Sequence, residues 1–235
     1  MTKDNLVVRA LARLGLDDAR LAVTLRKRVP AGAGLGGGSS DAASVLRAAM
    51  AGSFGPAPER DWLGDARALG SDIPFFLVDG PALVEGTGER VTALGSAPDW
   101  RVVLAVPPVH VATADAYARL AAARAALPAP TRPRNESVSL RCAEALQRRD
   151  YGGVLAALHN DFEPVIAEAY PAVRATLDAL RAAGAPGRAM LSGSGGACFA
   201  LFEDEDTART FARRVRPAEG TLVDVVAFAE SAAWR

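Results

Sequence analysis

The chain has little cysteine and little histidine, which limits the metal and redox chemistry available to it. Only Cys142 and Cys198 occur among 235 residues, far apart and without a C-x-x-C partner. A reduced compartment, in which both thiols act as small apolar residues, is the simplest interpretation. The two histidines, His110 and His159, lack metal-like spacing with the cysteines or with each other. The sequence therefore predicts no zinc site.

An excess of charge and long apolar runs are also missing. The 27 basic and 27 acidic residues balance to a formal charge of zero, and without a dense basic stripe we expect no nucleic-acid partner. The basic clusters at residues 26–28 and 213–216 are interpreted as solvated faces. No apolar run approaches the roughly 18 residues of a membrane span, and no signal-peptide pattern is present. We therefore expect a cytoplasmic protein with no membrane partner, as a monomer or a homodimer.

Glycine, by contrast, is concentrated in one segment, residues 30–43, where five glycines and two serines lead into a helical pattern. Glycines allow main-chain N–H groups to approach an anion, and a helix N-terminus adds unpaired N–H groups and a positive dipole end. The segment therefore predicts a phosphate-binding loop. A flexible linker is the alternative, but Leu35 interrupts the glycines and helix-forming sequence follows at once.

Three common glycine-rich motifs fit this segment poorly. Gly32-x-Gly34-x-x-Gly37 matches the dinucleotide fingerprint, but Pro30 disturbs the approaching strand and no acidic residue ends a second strand about 20 residues later. The Walker pattern needs a Gly-Lys-Ser/Thr sequence, which is absent here. A protein-kinase loop requires Asp-Phe-Gly and His-Arg-Asp downstream, and neither occurs. A nucleotide-phosphate loop of another kind remains.

Apolar periodicity predicts a mixed α+β protein. Helices are predicted at residues 5–14, 40–50, 59–69, 113–127, 137–149, 151–158, 172–183 and 206–215. Strands are predicted at residues 21–25, 82–85, 102–106, 197–202 and 222–228. This order suggests an α+β sandwich with a mostly antiparallel sheet. We expect a Pro-rich loop at residues 128–133 and a hinge between two lobes at residues 96–98.

The glycine-rich run resembles the phosphate-binding motif of the GHMP small-molecule kinases, through Pro30-x-x-x-Gly34-Leu35-Gly36-Gly37-Gly38-Ser39-Ser40-x-Ala42. Four further segments are similar to those of the members that phosphorylate a cytidylylated methylerythritol of the non-mevalonate isoprenoid pathway. In chain order they are Leu69–Phe76 (LGSDIPFF), Glu85–Glu89 (EGTGE), Asn160–Glu163 (NDFE) and Ser192–Gly196 (SGSGG). Five motifs in the same order are far more specific than one glycine-rich loop.

The resemblance implies a fold, an activity and cofactors. It implies a two-lobed GHMP kinase fold, with an incomplete ribosomal-S5-like lobe at residues 1–96 that contains the phosphate loop and a ferredoxin-like α/β sandwich at residues 97–235. It implies transfer of the γ-phosphoryl group of ATP to the C2 hydroxyl of the cytidylylated methylerythritol, with Mg²⁺ bridging phosphate oxygens. The residues implied to bind ATP are Pro30, Ala31, Gly32, Ala33, Gly34, Leu35, Gly36, Gly37, Gly38, Ser39 and Ser40.

Asp72 is the residue expected to carry the chemistry. Phosphoryl transfer to an alcohol needs a carboxylate that accepts or orients the hydroxyl proton, and the apolar run after Asp72 predicts its partial burial. A helix cap is the alternative, because Ser71 and Asp72 are good capping residues and Pro74 suits a first helical turn. The resemblance makes Asp72 the catalytic residue.

A second glycine-rich segment is implied to support the phosphate loop through Ser192, Gly193, Ser194 and Gly195. A tight turn into the following strand is the alternative. The segments Glu85–Glu89 and Asn160–Glu163 are interpreted as structural, the latter as a helix cap or a support for the active site.

Two segments that family members ordinarily carry, Ala-Lys-x-Asn-Leu and Asp-Gly-Tyr-His, do not occur in this sequence. Met1 matches a position several dozen residues into the family pattern, so Lys3 is not taken for the catalytic Lys. A misassigned start, a truncation and a degenerate paralogue are all open. If the start is misassigned or the chain is truncated, the complete protein is a kinase, although we expect this chain alone to be marginally stable and inactive. If the chain is a degenerate paralogue, it is a nucleotide-binding remnant without activity.

Overall fold

The computed structural model describes residues 2–16, 21–57, 59–127 and 136–228. The described residues fall into two compact units. The first contains the chain up to Pro30 together with Gly36–Ala93, and the second contains Ala31–Leu35 together with the chain from Leu94 onward. The glycine-rich run therefore contributes to both units. The lobe boundary expected after residue 96 stays a prediction, and the Pro-rich loop expected at 128–133 lies outside the described residues.

The first unit contains three helices, a short 3-10 helix and one β-hairpin. They are α1 (Leu6–Arg13), α2 (Gly37–Met50), α3 (Trp62–Leu69), the 3-10 helix Pro74–Leu77, and the antiparallel pair β1 (Ala82–Glu85) and β2 (Arg90–Ala93). Small buried residues such as Ala10 and Ala42 pack with the fully buried Leu46 and Ile73. This core joins α1, α2 and α3 to the segment that leads into the 3-10 helix.

The strand predicted at Leu21–Leu25 is wrong. Residues 21–28 have no regular secondary structure, and Leu21 and Val23 are 43% and 40% exposed. Alternation of apolar and polar residues gives a strand only where a neighbouring strand completes the backbone hydrogen bonds. Among the described residues β1 and β2 pair only with each other, so this segment has no such neighbour.

The second unit is built on a four-stranded sheet in the order β4–β5–β3–β6, with every neighbouring pair antiparallel. Its strands are β3 (Arg101–Val106), β4 (Met190–Leu191), β5 (Cys198–Phe202) and β6 (Leu222–Ala227). Its helices are α4 (Thr113–Ala126), α5 (Glu136–Gln147), α6 (Tyr151–Ala157), α7 (Glu163–Ala169), α8 (Pro171–Ala182) and α9 (Glu205–Arg214). The predicted α+β class with a mostly antiparallel sheet is confirmed.

The two faces of this sheet have separate cores, because successive strand residues point to opposite sides. On one face Val103 and Ala200, which pair in register, pack in a cluster that includes Ile166, Leu177 and Phe211. On the other face Leu201 packs with residues that include Trp100. The sheet therefore holds α7, from which the candidate site is partly built, firmly against one face. No helix within the described ranges is long and apolar enough to cross a bilayer.

Candidate active site

The glycine-rich run takes a backbone that alternates between ordinary and left-handed conformations. Gly34 and Gly36 have φ values of +70° and +66°, a region that residues with a Cβ rarely adopt. A Cβ added at Gly34 would lie 2.1 Å from Ser192 O, and one at Gly36 would lie 2.6 Å from the ring of Phe76. Glycine is therefore required at both positions, which a flexible linker would not need.

The run ends at the N-terminus of α2, where Gly36 is the N-cap and offers no side chain to bond the first turn. The helix starts at Gly37, three residues earlier than predicted, and its first intrahelical bond is Ser40 N to Gly36 O at 2.9 Å. The N–H groups of the three preceding residues have no partner within the helix. Together with the positive end of a 14-residue helix, they form the kind of site that binds phosphate.

Polar side chains beside this helix start are arranged as follows. The hydroxyl of Ser40 donates to Gly37 O at 2.9 Å. The ammonium of Lys27 forms an ion pair with Asp41, and it also lies 3.3 Å from where a Cβ on Gly37 would be. The interpretation of residues 26–28 as a plain solvated face missed this cation, because the pairing with Asp41 arises only in the fold.

Asp72 lies in a turn that other residues hold in place. The next residue, Ile73, is fully buried. On the other side the β1–β2 turn contacts Ser71, so closely that a Cβ on Gly88 would lie 2.0 Å from Ser71 O. Phe76, in the 3-10 helix that follows, lies against Gly36 at the start of α2. The segment that carries Asp72 is thus packed against the phosphate-loop helix within the first unit.

The partial burial expected of Asp72 and the alternative role as a helix cap are both wrong. Its side chain is exposed, although the next residue, Ile73, is fully buried. It also does not cap a helix, since the N-cap of the 3-10 helix is Ile73 and no side chain bonds that N-terminus. The carboxylate has one long contact, 3.5 Å from the hydroxyl of Ser71. It therefore remains accessible to a substrate hydroxyl.

The second glycine-rich segment contacts the first one within the second unit. Ser192 Oγ donates to Gly34 O at 3.0 Å, and Ala197 N donates to Ala33 O at 2.9 Å. Gly195 N closes a turn on Ser192 O at 3.0 Å. The segment is thus a tight turn into β5 and also a direct neighbour of the phosphate loop. The two interpretations of its sequence are compatible.

Asn160 and Glu163 hold this turn from the side of α7. Asn160 Nδ2 donates to the carbonyl oxygens of Leu191 and Gly193, at 2.8 and 2.9 Å. Glu163 is 5% exposed, and its carboxylate accepts from Leu191 N at 2.9 Å. Phe162, the N-cap of α7, makes no side-chain bond itself, but Asn160 Oδ1 accepts from Phe162 N at 2.8 Å, a bond of the kind that caps a helix start. The structural interpretation of Asn160–Glu163 agrees with these contacts.

Metal ligands are not clustered in the part of the chain that the structure describes: no group of three or more His, Cys, Asp or Glu residues could hold an ion there. A Mg²⁺ ion at a kinase site is held largely by phosphate oxygens and few protein groups. The described residues therefore give no basis for a mechanistic step through such an ion.

Comparison with known proteins gives matches along most of the chain. The family model described as the GHMP kinases N terminal domain matches residues 5–80, and the one described as GHMP kinases C terminal matches residues 142–221. A 4-diphosphocytidyl-2-C-methyl-D-erythritol kinase from Geobacter sp. (strain M21) is 39% identical over 219 residues, which cover 92% of this chain and 72% of that relative. The chain belongs to this GHMP kinase family.

Further relatives and a solved structure agree with this assignment. The kinase of the same name from Moorella thermoacetica is 38% identical and covers 91% of this chain, which in turn spans 73% of that relative. A crystal structure of 4-(cytidine 5'-diphospho)-2C-methyl-D-erythritol kinase is 33% identical with a TM-score of 0.70, covering 97% of this chain and 80% of the solved one. A homoserine kinase from Cytophaga hutchinsonii, 19% identical with a TM-score of 0.69 and covering 97% and 76%, shares the fold.

Proposed function

We propose that the protein transfers the γ-phosphoryl group of ATP to the C2 hydroxyl of 4-diphosphocytidyl-2-C-methyl-D-erythritol. The proposal rests on family membership taken together with the geometry of the glycine-rich run. Relatives named for this reaction are 37–41% identical over most of the chain, and the glycine-rich run ends at an uncapped helix N-terminus suited to phosphate. An activity on this substrate is therefore better supported than one on another alcohol.

In the proposed site residues 30–40 bind the phosphates of ATP through main-chain N–H groups. The close contact between Gly34 and the Ser192 turn supports a second role, in which Ser192, Gly193, Ser194 and Gly195 hold that loop in shape. ATP supplies the transferred phosphoryl group when it is bound, and we propose that Mg²⁺ accompanies it and bridges its phosphate oxygens.

We propose that Asp72 accepts or orients the proton of the acceptor hydroxyl. Three features support this role: the carboxylate is exposed, it caps no helix, and its segment packs against the start of α2 through Phe76. A carboxylate in that role needs access to substrate more than it needs burial, since general-base catalysis depends first on reach and then on pKa. Enzymes catalyse phosphoryl transfer mainly by positioning the reactants and stabilising the charge of the transition state.

We further propose that the protein acts in the cytoplasm. Both cysteines are free thiols, which is typical of a reduced compartment.

An acceptor panel tests the proposed activity. The protein is assayed as a version extended upstream to include the Ala-Lys-x-Asn-Leu and Asp-Gly-Tyr-His segments, because this chain alone is expected to be inactive. ADP release is followed in a coupled assay with ATP and each of three alcohols: the cytidylylated methylerythritol, homoserine and mevalonate. Turnover with the first and not with the other two is the expected result. Turnover with homoserine or mevalonate instead would contradict the proposed substrate. ATP binding without turnover on any of the three would favour a nucleotide-binding protein that has no kinase activity.

A further inference from the structure

The carboxamide of Asn160 makes three hydrogen bonds, all of them to the backbone. Its Nδ2 donates to Leu191 O at 2.8 Å and Gly193 O at 2.9 Å, and its Oδ1 accepts from Phe162 N at 2.8 Å. The two carbonyl groups flank Ser192, so one planar amide joins both sides of the residue that contacts the phosphate loop. An amide is suited to this arrangement because it donates two hydrogen bonds and accepts another.

The turn held by Asn160 would otherwise be easily deformed. Gly193, Gly195 and Gly196 have φ values of +51°, +119° and +99°, and glycine loses more conformational freedom on ordering than any other residue. Residues of this segment also donate hydrogen bonds to two carbonyl oxygens of the phosphate loop, those of Ala33 and Gly34. Asn160 therefore does not contact the loop that is proposed to bind ATP, but it contacts the turn that does.

Glu163 anchors the same backbone independently. One carboxylate oxygen accepts from Leu191 N at 2.9 Å, and the other accepts from Arg181 at 3.1 Å and Arg188 at 2.9 Å. Leu191 therefore has both its N–H and its carbonyl bonded to side chains at the start of α7. Because Glu163 is buried and doubly paired, its removal would threaten folding. Asn160, which is neutral, allows a cleaner test.

We infer that Asn160 is a positioning residue for nucleotide binding. Its carboxamide holds the Ser192–Gly196 turn in the single conformation that keeps the phosphate loop in shape. Without it, ATP would have to order the turn on binding, and that ordering would lower the affinity. The inference rests on the proposed function, since it assigns the effect to ATP rather than to the acceptor.

Asn160→Asp is the sharpest test, because the variant keeps size and Oδ1 but places a carboxylate oxygen against two carbonyls. We expect the Kd for ATP from titration calorimetry to rise about tenfold or more. In the upstream-extended protein the KM for ATP should rise in the same proportion, with kcat changed by less than about threefold. Asn160→Ser keeps one donor and gives the same measurement if Asn160→Asp does not fold. A smaller rise in the same direction is expected for it.

Tyr151→Phe is the matched control. The hydroxyl of Tyr151 donates to Leu201 O at 2.7 Å in the same unit, so the variant also loses a side-chain bond to a strand carbonyl. It should unfold at a lower urea concentration and bind ATP with the wild-type Kd. If folded Asn160 variants also bind ATP with the wild-type Kd, Asn160 only stabilises the fold and the inference is overturned. If the wild-type protein itself binds no ATP, the proposed function fails first.

Discussion

The hydroxyl of Ser192 donates to the carbonyl oxygen of Gly34 at 3.0 Å, which joins two glycine-rich segments that lie more than 150 residues apart in the sequence. The contact leaves no room for a side chain, since a Cβ on Gly34 would lie 2.1 Å from Ser192 O. Main-chain atoms of the two segments are in direct contact here, so we expect a change in the shape of one segment to change the other.

Gly34→Ala should therefore damage ATP binding specifically. The added methyl group meets main-chain atoms, and φ at this position is +70°, so the loop must shift. We expect the Kd for ATP to rise about tenfold or more, as measured by calorimetry. Gly184→Ala is the control, because its φ is also positive at +82° but nothing lies within 4 Å of the new Cβ. It should cost about 1 kcal/mol of stability and leave the Kd unchanged; equal Kd values for both variants would remove Gly34 from the site.

Asp72→Asn should lower turnover and leave nucleotide binding intact. In the upstream-extended protein the amide cannot accept the proton of the acceptor hydroxyl, so kcat should fall about a hundredfold or more while the Kd for ATP stays within about threefold of wild type. Asp79→Asn is a suitable control, since Asp79 is an exposed acid in the same unit, paired with Arg47 at 3.0 Å. Near-normal turnover of the Asp72 variant would exclude that residue from the mechanism.

Asp65 stabilises the first unit through two arginines. Burial opposes its ionisation, but hydrogen bonds from Arg60 and Arg13 outweigh that penalty and lower the pKa of the carboxyl below its usual 3.8. The folded-state pKa is depressed, so the stabilisation is fully present above the unfolded-state value and is lost as the pH falls through the folded value. Asp65→Asn should cost about 2 kcal/mol at pH 7.

Urea unfolding at two pH values checks this prediction. The difference between Asp65→Asn and wild type should shrink as the pH falls through the lowered pKa of Asp65, where the wild-type carboxyl also loses its charge. Glu144→Gln removes an exposed pair with Arg148 at 3.8 Å and should change stability by less than about 0.5 kcal/mol. A pH-independent loss for the Asp65 variant would mean that packing, rather than charge, is responsible.

The two cysteines should differ in thiol reactivity. Burial, assisted by the negative charge of Glu163, raises the pKa of the fully buried Cys198 to about 12. Burial also raises the pKa of Cys142, which is only partly buried. Because the thiolate is the reactive form, a disulfide reagent at pH 8 should modify Cys142 slowly in the native protein and Cys198 only after unfolding. Rapid modification of native Cys142→Ser would contradict the burial of Cys198.

Helix positions were largely predictable because they depend on local periodicity. Helices α1 to α6, α8 and α9 all occur where apolar spacing predicts them, within a few residues at each end. The seven-residue helix α7 was missed, since it is short and begins with the polar Glu163. That residue is buried and is paired with Arg181 and Arg188, which approach it from later in the chain. Pairings of this kind arise in the fold and leave no local pattern.

The parts of the candidate site that depend on glycine could be predicted from the sequence. The parts that depend on side-chain burial or on contacts between distant residues could not. The run from Gly32 to Gly38 indicates close main-chain approach directly in the sequence. By contrast, no sequence pattern indicates that Asp72 is exposed while the next residue, Ile73, is fully buried. The contacts of Asn160 depend on β4, which has only two residues and was not predicted. No periodicity extends over so short a strand.

The proposed reaction transfers the γ-phosphoryl group of ATP to the C2 hydroxyl of the cytidylylated methylerythritol. Phosphorus NMR of the reaction follows both the loss of the ATP γ-phosphate and the position of the new ester. With acceptor labelled by carbon-13 at C2, we predict that the upstream-extended protein gives one new phosphomonoester resonance coupled to that carbon. It should appear only with ATP and acceptor together, and about a hundredfold more slowly for Asp72→Asn. Loss of the γ-phosphate to free phosphate at the same rate without acceptor, or an ester at another carbon, would contradict the proposed reaction.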